Sequence, residues 1–254
     1  MIDLHNHLLP GVDDGSPSVS HSVRVLAGFA AQGITAVCLT PHLLASEAAA
    51  GVPARHDEAF RALQPAAPDE VTLHRGAEVM LDRPLPVEVA ADRRVTLGGS
   101  RYILVEFPRF ITFQAVAAAL RRVIETGLVP VLAHPERYAC CSPEAVVRWR
   151  ELGALMQVDA TTLLSTRARG GRARALVERG LADILAADNH GDDRSLAAPH
   201  AMLVEQDGTA QAQLLTVDNP AAILADAAVT PVPPIELRLA LFTRIKRLFD
   251  QEEE

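Results

Sequence analysis

Seven short apolar runs alternate with helical patterns along the chain, and this alternation constrains the fold more than any other feature. Most runs are nearly continuous in aliphatic residues, which is typical of parallel strands buried on both faces. A strand, a helix and then another strand is the repeating βαβ unit of a parallel sheet. The predicted strands are Ile2–His7, Ile34–Thr40, Val71–Val79, Tyr102–Glu106, Val129–Ala133, Leu155–Asp159 and Ile184–Ala187.

Five helices are predicted between these runs. Glycines follow four of them, at positions where a helix commonly ends in a left-handed residue; they are Gly33, Gly127, Gly153 and Gly180. Seven strands in one α/β domain favour a (β/α) barrel over an open sheet. The helices are expected at Ser18–Gln32, Ala54–Leu63, Phe113–Glu125, Pro143–Leu152 and Thr166–Arg179.

The last part of the chain differs from this pattern. Residues 1–230 are expected to form one domain, and residues 231–254 a C-terminal helix with an acidic tail. The helix is predicted over Ile235–Phe249, where apolar residues recur at helical spacing. A helix that packs on the domain is favoured over one that binds a partner.

Composition excludes several classes of protein. The net charge of −8 and the lack of a basic stripe argue against nucleic-acid binding. Three cysteines in a chain of this length do not form a disulfide framework, and no leader or membrane-length apolar run is present. These features predict a cytoplasmic protein that is not inserted in a membrane. A homo-oligomer is left open.

Candidate metal ligands follow the strands at their carboxyl ends, the face on which a (β/α) barrel builds its active site. Residues two apart on a strand point to the same side, so both His5 and His7 would face one cavity. Imidazole and carboxylate donors suit Zn, Mn or Fe, and nine of them exceed the needs of one ion. The nine are His5, His7, Asp14, His42, Glu78, Glu106, His134, Asp188 and His190.

Other interpretations of these residues were weighed. A single His-x-His pair is often incidental, and Glu106 or His134 alone would fit a hydrogen-bonded core position. A buried row of carboxylates without a cation is very costly, however, which favours the metal site. Asp13 is expected to face away or to cap the next helix. Four other histidines are interpreted as surface or helix-face residues; they are His21, His56, His74 and His200.

Six segments resemble one known family: "MIDLHNHLLPGVDDGS", "TPH", "GAE", "ILVEFP", "PVLAHPERY" and "ADNH". They are similar to the motifs of the PHP (polymerase and histidinol phosphatase) superfamily. Within it they most resemble the manganese-dependent tyrosine-protein phosphatases of bacterial capsule and exopolysaccharide operons, the CpsB/YwqE group. The resemblance implies a distorted, TIM-like barrel of seven strands. It also implies a centre of three divalent metal ions, with manganese first and iron, zinc or cobalt as alternatives.

The resemblance also implies roles for single residues. His5, His7, Glu78 and Asp188 would hold the first ion; Glu78, Glu106 and His134 the second; Asp14, His42 and His190 the third. Arg137 in "HPERY" would contact the phosphate, with Arg194 as a second arginine. Three places depart from the family pattern and change the expected pocket rim: Leu43, the segment 159–162 and Asn189.

The implied reaction is hydrolysis of a phosphomonoester by a metal-bridging hydroxide, with the arginines neutralising phosphoryl charge. A cysteine mechanism is disfavoured because Arg148, the first arginine after Cys141, is one position too far along for the usual phosphate loop. The leading substrate is phosphotyrosine on the tail of a bacterial tyrosine kinase. The alternatives are a small-molecule phosphatase, for histidinol phosphate or a sugar phosphate, and a non-catalytic regulator that binds the kinase.

Overall fold

Nine short strands are found in the computed structural model, which describes residues 1–238. All of them pair in parallel, in two sheets with the strand orders β1-β2-β4 and β3-β5-β6-β7-β8-β9. The strands are β1 (Ile2–Asp3), β2 (Ala36–Leu39), β3 (His42–Leu44), β4 (Thr72–Arg75), β5 (Glu78–Met80), β6 (Tyr102–Glu106), β7 (Val129–Ala133), β8 (Leu155–Asp159) and β9 (Ile184–Ala186).

The expected α/β fold with parallel strands is confirmed, but the strands are divided differently. The predicted run 71–79 forms two strands, β4 and β5, one in each sheet. The run 34–40 forms β2 alone, and a further strand that was not predicted, β3, follows it after Pro41 in the other sheet. One cause is Pro41, which has no N–H to donate between β2 and β3. The two chain segments remain paired across the break, because Gly76 N donates to Leu39 O (3.0 Å) and Glu78 N donates to Pro41 O (3.0 Å).

A single bridge links the two sheets at their other edges. Asn6 pairs in parallel with Asn189, beyond the end of β9. Asp188 N donates to His5 O at 2.9 Å, and His7 N donates to Asn189 O at 2.7 Å. These bonds hold the segment after β1 beside the segment after β9.

The five predicted helices are confirmed to within two residues at each end, and additional short helices follow β3, β5, β8 and β9. Side chains cap several of them; Ser18 caps α1 and Ser142 caps α6. The helices are α1 (Val19–Ala31), α2 (Ala45–Ala48), α3 (Ala54–Leu63), α4 (Val87–Ala91), α5 (Phe113–Glu125), α6 (Pro143–Glu151), α7 (Ala160–Leu163), α8 (Ala168–Glu178), α9 (Ala197–Glu205), α10 (Thr209–Gln213) and α11 (Asn219–Leu224).

The sheet is buried on both faces, as its apolar strands require. Leu132 of β7 belongs to the larger apolar cluster, which includes Leu120 and Trp149 of the helices. Its neighbour Val131 belongs to a second cluster with Leu104 and Ile184. Alternate residues of one strand therefore stabilise two different cores.

Residues 231–238 form neither helix nor strand and pack on the rest of the fold. Val232 and Leu237 are buried, and Ile235 N donates to Glu178 O at 3.0 Å. The predicted helix at Ile235–Phe249 falls mostly on residues 239–254, outside the described residues, together with the acidic tail. Among the helices of the described residues, none has the length and apolar character needed to cross a membrane.

Candidate metal centre

The nine predicted ligands gather where the strands end or break. His5 and His7 follow β1, Asp14 lies on the next loop, and Asp188 and His190 follow β9. Glu106 is the last residue of β6, and His134 directly follows β7. His42 and Glu78 begin β3 and β5, and are paired in register across the sheet. The strand breaks that the sequence did not predict therefore place these two ligands beside each other.

The most buried group consists of His5, His7, Glu78 and Asp188, whose candidate ligand atoms all lie within 4.8 Å of one another. Nε2 of His5 lies 3.2 Å from both Glu78 Oε2 and Asp188 Oδ1. Nε2 of His7 lies 3.3 Å from the same two oxygens. Two imidazoles and two carboxylates thus surround one point, which is the donor set that a divalent transition metal prefers.

Three buried atoms of this group lack a hydrogen-bond partner in the described part of the chain and could instead bind a cation. Nε2 of His5, Nε2 of His7 and Oε2 of Glu78 are buried, and none has a hydrogen-bond partner within residues 1–238. Such atoms are costly to leave unsatisfied. The opposite ring nitrogens are held in place: His5 Nδ1 lies 2.9 Å from Gln157 Oε1, and His7 Nδ1 lies 2.9 Å from Asp13 Oδ2. This is the outer support that fixes a metal-binding histidine with Nε2 facing inward.

The electrostatics of the group favour positive charge. Burial lowers the pKa of His7, but its hydrogen bond with Asp13 and the adjacent carboxylates of Asp188 and Glu78 outweigh burial and hold its pKa well above the usual value. Burial raises the pKa of Glu78, yet the surrounding histidines outweigh it and keep that pKa well below its usual value. A proton or a metal ion is therefore stabilised at this point of the protein.

A second group contains His42, Glu78 and Glu106. His42 Nδ1 lies 3.0 Å from Glu78 Oε2 and 3.3 Å from Glu106 Oε1. His134, which was expected in this set, lies beside it: its Nε2 is 2.9 Å from Glu78 Oε1 and 3.9 Å from Glu106 Oε2. The structure thus brings the three expected residues together and adds His42 to them.

The third group is more open and contains His7, Asp14, His42 and His190. Asp14 Oδ1 lies 3.5 Å from Nε2 of both His42 and His190. Its side chain is 71 % exposed, so this group faces solvent. Because the three groups share His7, His42 and Glu78, they form one continuous cluster rather than three separate sites.

Backbone conformation contributes to the cluster at two places. His134 and Asp188 have φ values of 34° and 49°, in the left-handed region that side chains other than glycine rarely adopt. His134 directly follows β7, and Asp188 lies two residues after the end of β9. Strained residues of this kind concentrate at functional sites, where the surrounding structure holds them.

The two predicted phosphate-binding arginines reach the same carboxylate. Arg137 Nη2 donates to Asp188 Oδ2, and Arg194 Nη1 lies 3.5 Å from that oxygen. Asp188 Oδ1 faces the histidines instead. Arg137 Nη2 also donates to Asp159 Oδ2 at 2.6 Å, and Arg194 is held by Asp192. Two cations therefore lie at one side of the cluster, as recognition of a phosphate requires.

Sequence reasoning missed two supporting residues. Asp13 was expected to face away or cap a helix, which is wrong: it contacts His7 Nδ1 and accepts from His42 N at 3.1 Å. In the sequence, nothing distinguishes Asp13 as a supporting residue from its neighbour Asp14 as a candidate ligand. Gln157 accepts from His134 N at 3.1 Å in addition to contacting His5. A polar residue inside the apolar run of β8 was the available signal.

A parallel α/β fold with this cluster defines an α/β protein with a candidate metal centre where its strands end or break. The chain belongs to the CpsB/CapC family of capsular polysaccharide synthesis, whose model matches residues 1–225. The expected resemblance to this group is thereby confirmed.

Known proteins are similar over nearly the whole chain. Tyrosine-protein phosphatase CpsB from Streptococcus pneumoniae is 26% identical over 243 residues, covering 90% of this chain and 100% of that protein. Tyrosine-protein phosphatase YwqE from Bacillus subtilis is 27% identical over 247 residues, covering 92% and 95%.

Two solved structures are similar in fold to this chain. One from the crystallographic study of YwqE and S. pneumoniae CpsB, described as unique metal-dependent tyrosine phosphatases, superposes with a TM-score of 0.75 at 25% identity, covering 93% of this chain and 100% of the other. Dihydropyrimidinase from Brevibacillus agri, at 12% identity and a TM-score of 0.52 over 94% of this chain and 73% of the other, shares the fold alone.

Proposed function

We propose that this protein is a metal-dependent protein-tyrosine phosphatase, which hydrolyses phosphotyrosine on the tail of a bacterial tyrosine kinase that controls capsule or exopolysaccharide synthesis. The observation that carries the proposal is the continuous cluster of histidines and carboxylates with two arginines beside it. The relatives that match along nearly the whole chain are named tyrosine-protein phosphatases, which supports the same reaction.

We infer that three divalent ions, with manganese first and iron, zinc or cobalt as alternatives, occupy this cluster. His and carboxylate donors without thiolate accept any of these metals. When bound, the ions would supply Lewis acidity that activates a water molecule and offsets phosphoryl charge. The first ion would be held by His5, His7, Glu78 and Asp188, the second by Glu78, Glu106 and His134, and the third by Asp14, His42 and His190.

The protein's own groups would bind and orient the substrate. Arg137 and Arg194 would donate to phosphoryl oxygens, because an arginine offers a planar fork of N–H groups that matches them. Asp188 would divide its two oxygens between the histidine side and the arginine side of the site, which fixes the arginines relative to the metal ligands. A phenolate leaves with little help from an acid, so no general acid is required for phosphotyrosine.

One experiment tests the reaction and separates the substrates. Protein stripped with a chelator and reloaded with manganese is assayed on an aryl phosphate, a phosphotyrosine peptide and histidinol phosphate. We expect metal-dependent turnover of the first two. No metal-dependent turnover of any substrate would refute the phosphatase function, and preference for histidinol phosphate would replace the protein substrate with a small molecule.

A site variant tests the ligand assignment. His134→Ala is expected to lower both bound metal and kcat, because it removes a donor beside Glu78 and Glu106. His74→Ala is the matched control, since His74 lies on β4 outside the cluster and is not among the candidate ligands. Full metal content and full activity in His134→Ala would show that the second ion is assigned to the wrong residues.

Three further features are part of the proposal. We propose that the two sheets together form one distorted barrel of seven chain segments. The Asn6–Asn189 bridge and the pairing across Pro41 support this arrangement. Residues 1–230 are taken as the phosphatase domain, followed by the extension at 231–254. A cytoplasmic location is supported by three free cysteines, Cys38, Cys140 and Cys141. The oligomeric state stays open.

A further inference from the structure

Asp159 lies at the end of β8 with its carboxylate buried beside Arg137. The residue is 2 % exposed. It is the N-cap of α7, and its backbone N–H donates to Glu136 Oε1 at 2.9 Å, which connects it to the residue next to Arg137. The end of β8 and the turn after β7 are therefore connected both through a backbone amide and through side chains.

Five donors fix this carboxylate. Oδ1 accepts from Thr161 N (2.9 Å), Thr161 Oγ1 (2.8 Å) and Thr162 N (3.1 Å). Oδ2 accepts from Thr162 Oγ1 (2.8 Å) and from Arg137 Nη2 (2.6 Å). Burial raises the pKa of Asp159, but Arg137 and the two threonines outweigh burial and lower it, so the group is ionised at neutral pH. A charged group with so many donors has little freedom to move.

Arg137 is held by one nitrogen only. Nη2 donates to both Asp159 and Asp188, whereas Nε and Nη1 have no partner within residues 1–238. The side chain is 26% exposed, at the side of the metal cluster where Asp188 lies. The guanidinium is therefore anchored at Nη2, and its Nε–H and Nη1–H groups, which point in different directions, are free to bind a ligand.

We propose that Asp159 is a positioning residue: it anchors Nη2 of Arg137 so that one of the free N–H groups, on Nη1 or Nε, meets a phosphoryl oxygen in the transition state. The proposal rests on the proposed phosphatase function. Asp188 alone could not fix the guanidinium, because a single bond leaves rotation about that contact free. Two carboxylates from different strands, the end of β8 and the segment after β9, define its direction.

The test is a double-mutant cycle of Asp159→Asn in the presence of Arg137 and in the Arg137→Ala background. Asparagine keeps the shape and can still accept from Thr161 N and Thr162 N, but its amide no longer anchors the guanidinium. We expect kcat on an aryl phosphate to fall about tenfold with KM not raised, since alignment is lost while a competing negative charge is also removed. In the Arg137→Ala background the same change should alter kcat less than about twofold.

A binding measurement gives a readout independent of turnover. Vanadate resembles the five-coordinate transition state, whereas inorganic phosphate resembles the product. In the manganese-loaded protein, Asp159→Asn should reduce the rise in melting temperature caused by vanadate but not the rise caused by phosphate. In the Arg137→Ala background, Asp159→Asn should change neither the rise caused by vanadate nor the rise caused by phosphate. Ser142→Ala, which removes the side-chain cap of another helix, α6, is the control and should leave kcat unchanged.

The outcomes separate this inference from the proposed function. Equal losses in both backgrounds would mean that Asp159 acts as a helix cap, and unchanged kcat and vanadate binding would mean that it does not position Arg137; either overturns the inference while the phosphatase function stands. Absence of turnover in the unmodified protein would refute the function, and the vanadate and phosphate measurements would still decide whether Asp159 acts through Arg137.

Discussion

Strand β9 has a buried aspartate before it and another after it, and the two differ in nearly every other respect. Asp183 accepts from Arg150 Nη2 and from Met156 N, both at 2.8 Å. Asp188 follows the strand with φ of 49°, and its Oδ1 faces Nε2 atoms of His5 and His7 that have no hydrogen-bond partner within residues 1–238. One carboxylate has a complete set of donors, whereas the other stands among unsatisfied neighbours.

The contrast shows that burial alone does not identify a functional carboxylate. Burial raises the pKa of Asp183, and its single arginine does not offset that effect. Burial also raises the pKa of Asp188, but His5, His7 and Arg137 outweigh it and lower that pKa far below its usual value. We infer that Asp183 contributes to stability and Asp188 to function. The predictions below test this division from the largest expected effect to the smallest.

Asp188→Asn should produce the largest change. Asparagine keeps the volume but loses the charge shared by the histidine and arginine sides of the site. We expect kcat for an aryl phosphate to fall about 10³-fold, on the order of 4 kcal/mol in the barrier, together with a lower metal content. Steady-state kinetics and metal analysis measure both quantities. Activity within tenfold of the unmodified protein would contradict a functional role for Asp188.

Asp183→Ala should act on stability instead. It leaves Met156 N without its side-chain acceptor and Arg150, whose side chain is 26 % exposed, without its carboxylate partner. We expect the free energy of unfolding to fall by about 3 kcal/mol, with kcat of the folded protein nearly unchanged. Denaturant unfolding measures this change. Asp69→Ala, at an exposed position, is the control; a similar loss there would remove the distinction between the two ends of β9.

The fold could be predicted to a large extent because its signals are local. Apolar runs and caps predicted the parallel strands and five helices. The division into two sheets could not be predicted, because it depends on how chains break at Pro41 and Gly76 while their pairing continues. At Gly76 an added Cβ would lie 3.0 Å from Cys38 Sγ and 3.2 Å from Thr40 Cγ2, and a periodic pattern does not contain that packing.

The candidate site was less completely predictable. Donor types near the predicted strand ends identified nine residues that the fold brings together, because donor chemistry and strand spacing are visible in a sequence. That they bind metal stays a prediction. Residues that act through others were not visible. Asp13 and Gln157 contact candidate ligands, and Asp159 contacts Arg137, only after the chain has folded. Asp13 could not be told apart from its neighbour Asp14, and the sequence did not show which partners Gln157 and Asp159 would have. The same holds for the addition of His42 to the group around Glu106.

His56 tests whether an unpaired buried nitrogen is by itself the mark of a site. It was expected at the surface or on a helix face; it lies on α3 but is only 3 % exposed, and its Nε2 has no hydrogen-bond partner in the described chain. Burial, assisted by Arg55, lowers its pKa to about 4. The unfolded chain, with a histidine pKa near 6.5, therefore binds the proton first, so stability is present above that pH and is lost as pH falls toward 4.

We expect the unmodified protein to lose roughly 2 kcal/mol more unfolding free energy between pH 7 and pH 4.5 than His56→Leu does. Using the difference between the two proteins cancels the titration of the site histidines. Manganese content and kcat of His56→Leu at pH 7 should equal those of the unmodified protein. An identical pH dependence in both proteins would show that His56 is not held neutral, and loss of metal would extend the site beyond the strand ends.

Gly171→Ala should give the smallest effect and a gain. Gly171 lies on the exposed side of α8, and a Cβ there would meet no atom within 4 Å, whereas one at the adjacent Gly170 would lie 1.8 Å from Ser165 O. Alanine at position 171 should raise the unfolding free energy by about 0.5–1 kcal/mol, because glycine is the poorer helix former. Gly170→Ala, the matched control, should destabilise the protein. Helix α8 contacts the turn that contains Arg137, because Arg172 Nε donates to Glu136 O. We expect Gly171→Ala to leave kcat unchanged. That result would show that α8 can be stabilised without altering the position of Arg137.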